Sequence, residues 1–241
     1  MFKLVSRTNL ILIPIYKRML NFEIDTSEKR VPYRSEEERL PLKVQYDNPF
    51  DLFKEWFNEC IEKNVMEPNA VCLSTCSKEL KPSSRYVLMK ACDRNHGFLF
   101  FTNYDSKKGR EIADNPNVSL LFYWEPLKKQ VRIEGSAVRV SDDLNDKYFN
   151  SRPLASRVAA ISSPQSSEVV SREIFLDDYR NLLSTAQDQG NNVIKRPQNW
   201  GGFLVKPIRY EFWLGQSSRF HDRLCYEIKN DEQWRSFFLA P

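Results

Sequence analysis

The sequence predicts a mainly β protein, an antiparallel barrel with helices inserted between its strands. Short apolar runs rich in β-branched and aromatic residues recur at close spacing, and turn residues separate them. The helical segments fall irregularly between these runs, so the regular strand–helix alternation of a parallel sheet is missing. The composition of the 241 residues, 41% hydrophobic and 28% charged, is that of a globular chain and excludes a disordered or collagen-like one.

The first predicted element is a helix over residues 49–63. Asn48 or Asp47 would cap its start, and Pro49 suits the first turn of a helix. Apolar residues recur at helical spacing and would form one buried face. The residues of this face are Phe50, Phe53, Trp56, Phe57, Cys60 and Ile61.

Three apolar runs follow and predict a meander of neighbouring strands over residues 70–77, 84–92 and 98–104. A turn at Leu80–Pro82 separates the first pair of strands. The polar loop 93–97 separates the second pair.

Strands and helices alternate irregularly in the rest of the chain. A short helix at 105–115 starts near Asp105 or Ser106, which are suitable capping residues. Pro153 breaks or kinks the chain after the next helix. The remaining predicted elements are strands 117–124 and 129–140, helices 142–150 and 171–187, a loop at 188–202, and strands 203–215 and 224–229.

The net charge of +4 is located in the leader, residues 1–22. The remaining 32 basic and 32 acidic residues balance in 23–241, and a neutral body argues against a nucleic-acid surface. The apolar stretch of the leader is too short to span a bilayer. The leader contains no acid, and its basic residues are Lys3, Arg7, Lys17 and Arg18.

Three interpretations of the leader stay open: a mitochondrial-type presequence, a weak secretory segment, or a disordered tail that translation from Met19 would bypass. We expect a cytoplasmic protein, or a mitochondrial one if residues 1–22 direct it there. Residues 23–47 are charged and polar and predict a mobile arm. The expected organisation is a leader and arm at 1–47 and a single domain at 48–241.

Five cysteines form no C-x-x-C pair, and two histidines are too few to complete a zinc site at the usual spacing. We therefore expect no metal centre. The cysteines are interpreted as small buried hydrophobes in a reducing compartment. They are Cys60, Cys72, Cys76, Cys92 and Cys225.

Glycine-rich nucleotide loops and the G-x-S-x-G nucleophile motif are missing from the sequence. His96 lies in a polar turn. His221 lies between Arg219 and Arg223, whose charges disfavour a cationic imidazole. His221 is then a hydrogen-bond partner, a proton acceptor, or part of a solvated loop.

Cationic residues recur at strand ends and favour an anionic ligand such as a phosphate. Ser106, Lys107 and Lys108 open a helix, where backbone N–H groups and lysine both suit a phosphate. A second group would share one helical face if Pro153 only kinks its helix. This group, four residues apart in sequence, is Tyr148, Arg152 and Ser156.

Six segments together are typical of one known family. They are R-Y-V-L-M-K at 85–90, F-F-T-N-Y-D-S-K-K-G at 100–109, F-Y-W-E-P-L-x-x-Q-V-R-I-E-G at 122–135, Y-F-x-S-R-P at 148–153, Q-S-S at 165–167, and E-F-W-x-G-Q-x-x-R-x-H-D-R at 211–223. In this order and spacing they resemble the pyridoxine (pyridoxamine) 5′-phosphate oxidases. The resemblance covers about four-fifths of the chain, from Asn48 to Pro241.

The resemblance implies an FMN-binding split β-barrel, antiparallel and Greek-key-like, that forms a homodimer with two FMN sites at the subunit interface. It implies that pyridoxine 5′-phosphate or pyridoxamine 5′-phosphate is oxidised to pyridoxal 5′-phosphate. Molecular oxygen would be the electron acceptor, and hydrogen peroxide would be released.

The resemblance also implies the cofactor-binding residues. Arg85, Lys107 and Lys108 would neutralise the FMN phosphate. Gln130 and Gln165 would meet the polar edge of the flavin. The full implied set is Arg85, Tyr86, Val87, Leu88, Phe101, Thr102, Lys107, Lys108, Gln130, Gln165, Ser166, Trp213 and Arg223.

For the substrate, the resemblance implies two groups. Arg219 and His221 would lie over the pyridine ring as the catalytic residues. In the arm, Arg30 and Tyr33 resemble an R-x-x-Y segment that closes over the substrate. The vitamer phosphate would be held by Lys90, Tyr148, Arg152 and Ser156.

Two positions depart from the family pattern. Pro164 stands where the family has histidine before Q-S-S, and Lys107 stands where the family often has arginine, so the bidentate fork is lost there. Two other functions stay open. One is a related split-barrel flavoprotein such as a flavin reductase or a haem-degrading enzyme, and the other is a non-catalytic protein that binds flavin or pyridoxal phosphate.

Overall fold

The computed structural model describes residues 46–189, 194–217, 220–229 and 233–241. The leader and nearly all of the arm, including Arg30 and Tyr33, lie outside the described residues. The division into 1–47 and 48–241 therefore stays a prediction.

Five helices and nine strands make up the described part of the chain. The helices are α1 (Pro49–Glu62), α2 (Lys107–Asp114), α3 (Asp142–Ser151), α4 (Leu154–Ser162) and α5 (Arg172–Gln189), with a 3₁₀ turn at Glu125–Leu127. The strands are β1 (Ala70–Cys76), β2 (Pro82–Leu88), β3 (Ala91–Asp93), β4 (Gly97–Asn103), β5 (Asn117–Trp124), β6 (Lys129–Arg139), β7 (Trp200–Leu214), β8 (Asp222–Ile228) and β9 (Trp234–Phe238).

All nine strands join one antiparallel sheet, which confirms the predicted mainly β class. The order is β2-β1-β5-β6-β7-β4-β3, and β8 and β9 extend from β7. The sheet curls around its apolar face as a half-barrel. Helix α1 precedes the strands, and helices α2 to α5 lie between strands in the chain order.

The predicted pairing of neighbouring runs is confirmed, since β1 pairs with β2 and β3 pairs with β4. The prediction of one continuous meander is wrong, because its middle run is not a single strand. The apolar run at 84–92 divides into β2 and β3, which lie at opposite ends of the strand order. The division falls at two neighbouring residues, since the Met89 N–H donates to Asn69 O and the Lys90 N–H donates to Leu99 O. The chain thus passes from one end of the strand order to the other within two residues, so the two edges of the sheet lie close together at this point.

Helix α1 fills the concave side of the sheet. Asn48 caps it, with its side-chain oxygen accepting from the Phe50 N–H at 2.9 Å. The ring of Phe53 packs edge-on against Phe98 at 4.9 Å between centroids. The predicted burial of Ile61 is wrong, because its position turns towards solvent and leaves it 55% exposed.

Pro153 ends a helix. The predicted shared helical face of Tyr148, Arg152 and Ser156 is therefore wrong, because it required one helix that Pro153 only kinks. Arg152 has an extended backbone with ψ 151°, and a new helix, α4, begins at Leu154. Helix α4 and strand β9 were not predicted. A second, smaller apolar cluster joins these helices to the start of β7, and it comprises Phe149, Val158, Ala186, Ile194 and Trp200.

All five cysteines lie in the described residues and are free thiols. Cys60 and Cys225 are fully buried, and burial raises the pKa of the Cys60 thiol to about 12. None of the described helices is long and apolar enough to cross a membrane.

Candidate active site

A cavity of about 1090 Å³ opens between β2, β4, the start of α2, and the α3–α4 corner. Most of the sequence-predicted site residues line it, although the chain brings them from five separate segments. They are Arg85, Tyr86, Val87, Leu88, Lys90, Phe101, Thr102, Lys107, Lys108, Tyr148, Arg152, Ser156, Gln165 and Ser166.

Lys108 forms a buried cationic centre on one side of the cavity. Ser106 caps α2 and so holds Lys108 in its first turn. The Lys108 amine donates to Thr102 Oγ1 at 3.2 Å, Ser106 Oγ at 3.3 Å and Gln165 Oε1 at 3.0 Å. These acceptors are all neutral. Burial, together with the charge of Arg85, lowers the pKa of Lys108 to about 8.

Arg85 lies beside this centre and is held by a buried carboxylate. Its terminal nitrogens donate to Thr75 Oγ1 at 2.5 Å and to Glu111 Oε2 at 3.3 Å. Thr75 and Ser83 also donate to the same Glu111 oxygen, at 2.5 and 2.7 Å. Burial works to raise the pKa of Glu111, but these hydrogen bonds and the nearby cations lower it overall, so the carboxylate stays charged.

The exposed Lys107 amine lies 3.9 Å from Glu111 Oε1. Arg85 and Lys107 therefore share the single carboxylate of Glu111, and Lys108 beside them adds a third positive charge with neutral acceptors only. The excess positive charge, next to the start of a helix, suits a phosphate.

A second cationic centre, formed by Arg152, lies on an aromatic stack at the α3–α4 corner. The Phe101 ring is stacked on Tyr148 at 3.9 Å and lies nearly parallel to Trp200 at 5.4 Å. The Arg152 guanidinium carbon is 4.6 Å from the centre of the Trp200 ring. Its Nη1 is buried and has no hydrogen-bond partner among the described residues. Burial lowers the pKa of Arg152, which marks a cation without a carboxylate partner.

The turn that carries Gln165 closes one side of the cavity. The Ser167 N–H donates to Pro164 O at 3.0 Å, and Ser166 has a left-handed φ of 70°. This is the geometry of a type II turn, in which the third residue needs positive φ. Pro164 thus starts a tight turn in place of the histidine of the family pattern.

The remaining predicted residues lie on another part of the sheet. Gln130, Trp213 and Arg223 are direct neighbours across β6, β7 and β8, so their side chains share one face. The His221 ring lies 4.8 Å from that of Trp213. None of these four residues lines the cavity. Arg219 falls in the pair 218–219, outside the described residues.

Sequence reasoning missed the residues that position the cations. Trp200 lies in what was predicted as a loop, so its role under Arg152 carried no local signal. Thr75, Ser83 and Glu111 come from three elements, and only the fold brings them together around Arg85. The strand alternation of Ser83 with Arg85 was a usable signal, since residues two apart share a face.

Two family models together cover most of the described chain. One, described as pyridoxamine 5′-phosphate oxidase, matches residues 56–185. The chain belongs to the pyridoxamine 5′-phosphate oxidase family. A second model, described as the pyridoxine 5′-phosphate oxidase C-terminal dimerisation region, matches residues 200–241. As a member of this oxidase family the chain is an oxidoreductase, and the split-barrel resemblance is confirmed.

Named relatives support the family assignment. The chain is 43% identical to the pyridoxine/pyridoxamine 5′-phosphate oxidase of Cyanothece sp. strain PCC 7425, covering 90% of this chain and 99% of that protein. It is 46% identical to the chloroplastic oxidase 1 of Arabidopsis thaliana, over 91% of this chain but only 41% of the longer plant protein.

Solved structures of similar proteins show the same fold. PhzG from Burkholderia lata 383, solved with tetrahydrophenazine-1-carboxylic acid, has a TM-score of 0.76 and 31% identity, over 82% of this chain and 94% of PhzG. An FMN-binding, oxidase-related protein from Nostoc punctiforme has a TM-score of 0.61 at 16% identity, over 78% and 97% of the two chains. The second likeness supports the fold alone.

Proposed function

We propose that this protein oxidises pyridoxine 5′-phosphate and pyridoxamine 5′-phosphate to pyridoxal 5′-phosphate, with FMN as cofactor and oxygen as electron acceptor. The observation that carries the proposal is a single cavity with two cations, Lys108 and Arg152, that have no carboxylate partner among the described residues. Two such cations in one cavity would suit two phosphates, one on a cofactor and one on a substrate. The names of the relatives agree with this chemistry.

The residues around Lys108 fit the FMN phosphate. A buried lysine with only neutral acceptors is costly, and a phosphate oxygen would complete its coordination. Arg85 and Lys107 would add charge, and Thr102, Gln165 and Ser166 would add hydrogen bonds. Phe101 and the segment Tyr86–Leu88 would provide further contacts. When bound, FMN supplies a two-electron acceptor.

The residues around Arg152 fit the substrate phosphate. Arg152 Nη1 has no hydrogen-bond partner among the described residues, so it can donate to a phosphate without first breaking another hydrogen bond. Lys90 adds a second positive charge at the cavity wall. Tyr148 and Ser156 contribute hydroxyl groups. Sequence spacing predicted this grouping for the wrong reason, because α3 ends at Arg152 and the corner, rather than one helix, brings the three residues together.

The second group of residues would reach the cavity from a partner copy. Gln130, Trp213 and Arg223 would then meet the flavin, and Arg219 and His221 would meet the pyridine ring. The match of residues 200–241 to a dimerisation region supports a homodimer. We propose that each active site combines the cavity of one subunit with the β7–β8 region of the other.

The overall reaction balances without another cofactor. Oxidation of the C4′ alcohol transfers two electrons and two protons to oxygen and yields the aldehyde and hydrogen peroxide. Oxidation of the C4′ amine uses one water in addition and releases ammonia. The chain's contribution is to hold the two phosphates and so place the vitamer ring beside the flavin.

A single assay tests the proposal. The purified protein should be yellow, and addition of pyridoxamine 5′-phosphate in air should produce peroxide and the absorbance of an aldehyde in equal amounts. Bound FMN without either product would overturn the oxidase. Oxidation of a nicotinamide cofactor without vitamer turnover would instead support a flavin reductase, and flavin or pyridoxal phosphate binding with no turnover would support a non-catalytic protein.

The placement of the protein in the cell depends on the leader at 1–22, which lies outside the described residues. We propose a cytoplasmic enzyme with a mitochondrial fraction if the leader is cleaved as a presequence. Sequencing the mature N-terminus from whole cells and from isolated mitochondria tests this. An intact leader in both fractions would contradict cleavage.

A further inference from the structure

The hydrogen bonding of His221 determines which ring nitrogen carries its proton. The backbone N–H of Gln216 donates to His221 Nδ1 at 3.0 Å. A nitrogen that accepts a hydrogen bond from a backbone N–H has no proton of its own. The proton of the neutral imidazole is therefore on Nε2.

The donor in this contact is held firmly in place. The neighbouring Gly215 N–H donates to Lys128 O at 2.9 Å, which fixes the backbone at the end of β7. The Gln216 side chain is 1% exposed, and its amide donates to Asp222 Oδ2 at 3.1 Å. Gln216 is thus bound to the first residue of β8, next to His221. The fixed backbone at Gln216 therefore sets the tautomer of the His221 ring.

We propose that Gln216 fixes His221 as a hydrogen-bond donor through Nε2, so that His221 orients the substrate and does not act as a general base. Sequence alone left both roles open. The part concerning the substrate rests on the proposed function, whereas the tautomer does not. A donor at Nε2 suits an oxygen on the vitamer ring. The proton that the C4′ group loses must then leave by another route, to solvent or to the cofactor.

The other histidine provides an internal contrast. His96 Nδ1 lies 2.7 Å from Asp93 Oδ2 and 2.9 Å from Oδ1. A carboxylate accepts hydrogen bonds, so the proton of His96 is favoured on Nδ1. The chain contains only these two histidines, and the structure assigns them opposite tautomers.

Nitrogen NMR of the histidine-labelled holoenzyme tests the tautomer directly. Spectra are recorded at about pH 8, above the ordinary imidazole pKa of about 6.5. His96→Asn assigns the signals by removing one set. We expect His221 Nδ1 to resonate as an unprotonated nitrogen and Nε2 as a protonated one. The reverse pattern, or averaged shifts from two exchanging tautomers, would overturn the assignment.

Kinetics of two replacements test the donor role. His221→Gln can place an amide N–H near the position of Nε2, whereas His221→Asn places its amide near Nδ1. We expect His221→Gln to keep kcat/KM within about tenfold of wild type and His221→Asn to lose more. General-base catalysis contributes about 10²–10⁴-fold, so a loss of that size in His221→Gln would overturn the donor role. Wild type without vitamer oxidation would refute the proposed function, while the NMR result would still stand.

Discussion

At the scale of single residues, Lys108 makes FMN affinity dependent on pH. Its pKa is lowered to about 8, so the empty protein loses this charge at a lower pH than a free lysine would. Phosphate binds the charged amine. We expect FMN affinity to be at full strength below about pH 8 and to weaken above it by up to tenfold per pH unit. Fluorescence titration of FMN between about pH 7 and 9.5 measures this change.

Lys108→Arg is the matched control for that titration. An arginine stays charged throughout this range, so the decline in affinity should disappear even if the absolute affinity changes. A wild-type affinity that stays constant up to about pH 9.5 would show that Lys108 does not bind the phosphate as a cation.

A second residue-scale prediction concerns the ring under Arg152. Trp200→Leu removes the cation–π contact, which is worth about 0.5–2 kcal/mol, and leaves the guanidinium free to turn. We expect KM for pyridoxamine 5′-phosphate to rise about two- to thirtyfold, with FMN affinity nearly unchanged. Steady-state kinetics and FMN titration separate the two effects.

Trp200→Phe keeps an aromatic face beneath Arg152 and should keep KM close to wild type. Trp200 also belongs to the small apolar cluster, so the leucine variant must be shown to retain its thermal stability. Equal KM values for the leucine and phenylalanine variants would indicate that the ring does not position Arg152.

At the scale of elements, helix α2 must approach the β4–α2 turn very closely. A Cβ on Gly109 would lie 2.1 Å from the Tyr104 carbonyl oxygen. Helix propensity alone predicts that Gly109→Ala stabilises the protein, whereas the clash predicts the opposite. We expect a loss of about 3 kcal/mol and a fall in Tm of roughly 6–12 °C, measured by thermal unfolding.

Arg110→Ala on the exposed side of the same helix is the control and should change stability by less than about 0.5 kcal/mol. Weaker FMN binding should accompany Gly109→Ala, because the helix start carries Lys107 and Lys108. A stabilised Gly109→Ala variant would contradict the close packing of α2.

The elements also show what local sequence can and cannot predict. Caps and periodicity located α1 and α2 nearly to the residue, because Asn48 and Ser106 act on their own helix. Local turns also predicted the partners β1–β2 and β3–β4, but the order of the whole sheet was not predictable in this way. The run at 84–92 looks continuous in sequence, and only the non-local hydrogen bonds of Met89 and Lys90 divide it between two edges of the sheet.

The same distinction applies to the site. The family motifs contain Lys108 and Arg152, so the resemblance alone predicted these two residues of the cavity. The carboxylate of Glu111 and the ring of Trp200 carry no motif that the resemblance used. Their roles depend on which elements pack together, and this is a property of the fold.

At the scale of the whole molecule, the separation of the site residues into two groups predicts that each active site takes one group from each subunit. Within one chain, Lys108 and Arg152 line the cavity, while His221 lies with Trp213 beyond its lining. If one site needs both groups, a defect in each can be complemented by the other chain. We therefore expect that Arg152→Ala and His221→Ala are each nearly inactive alone.

Unfolding and refolding an equal mixture of these two variants should restore activity. Random pairing makes half of the dimers hybrid, and each hybrid has one intact site of two, so about a quarter of wild-type activity should return. A mixture of Arg152→Ala with Lys108→Met is the control and should stay inactive, because both defects lie in the same group. If the first mixture also stays inactive while each variant refolds as a dimer, the complete site lies within one chain. The β7–β8 region would then have to reach the cavity of its own subunit.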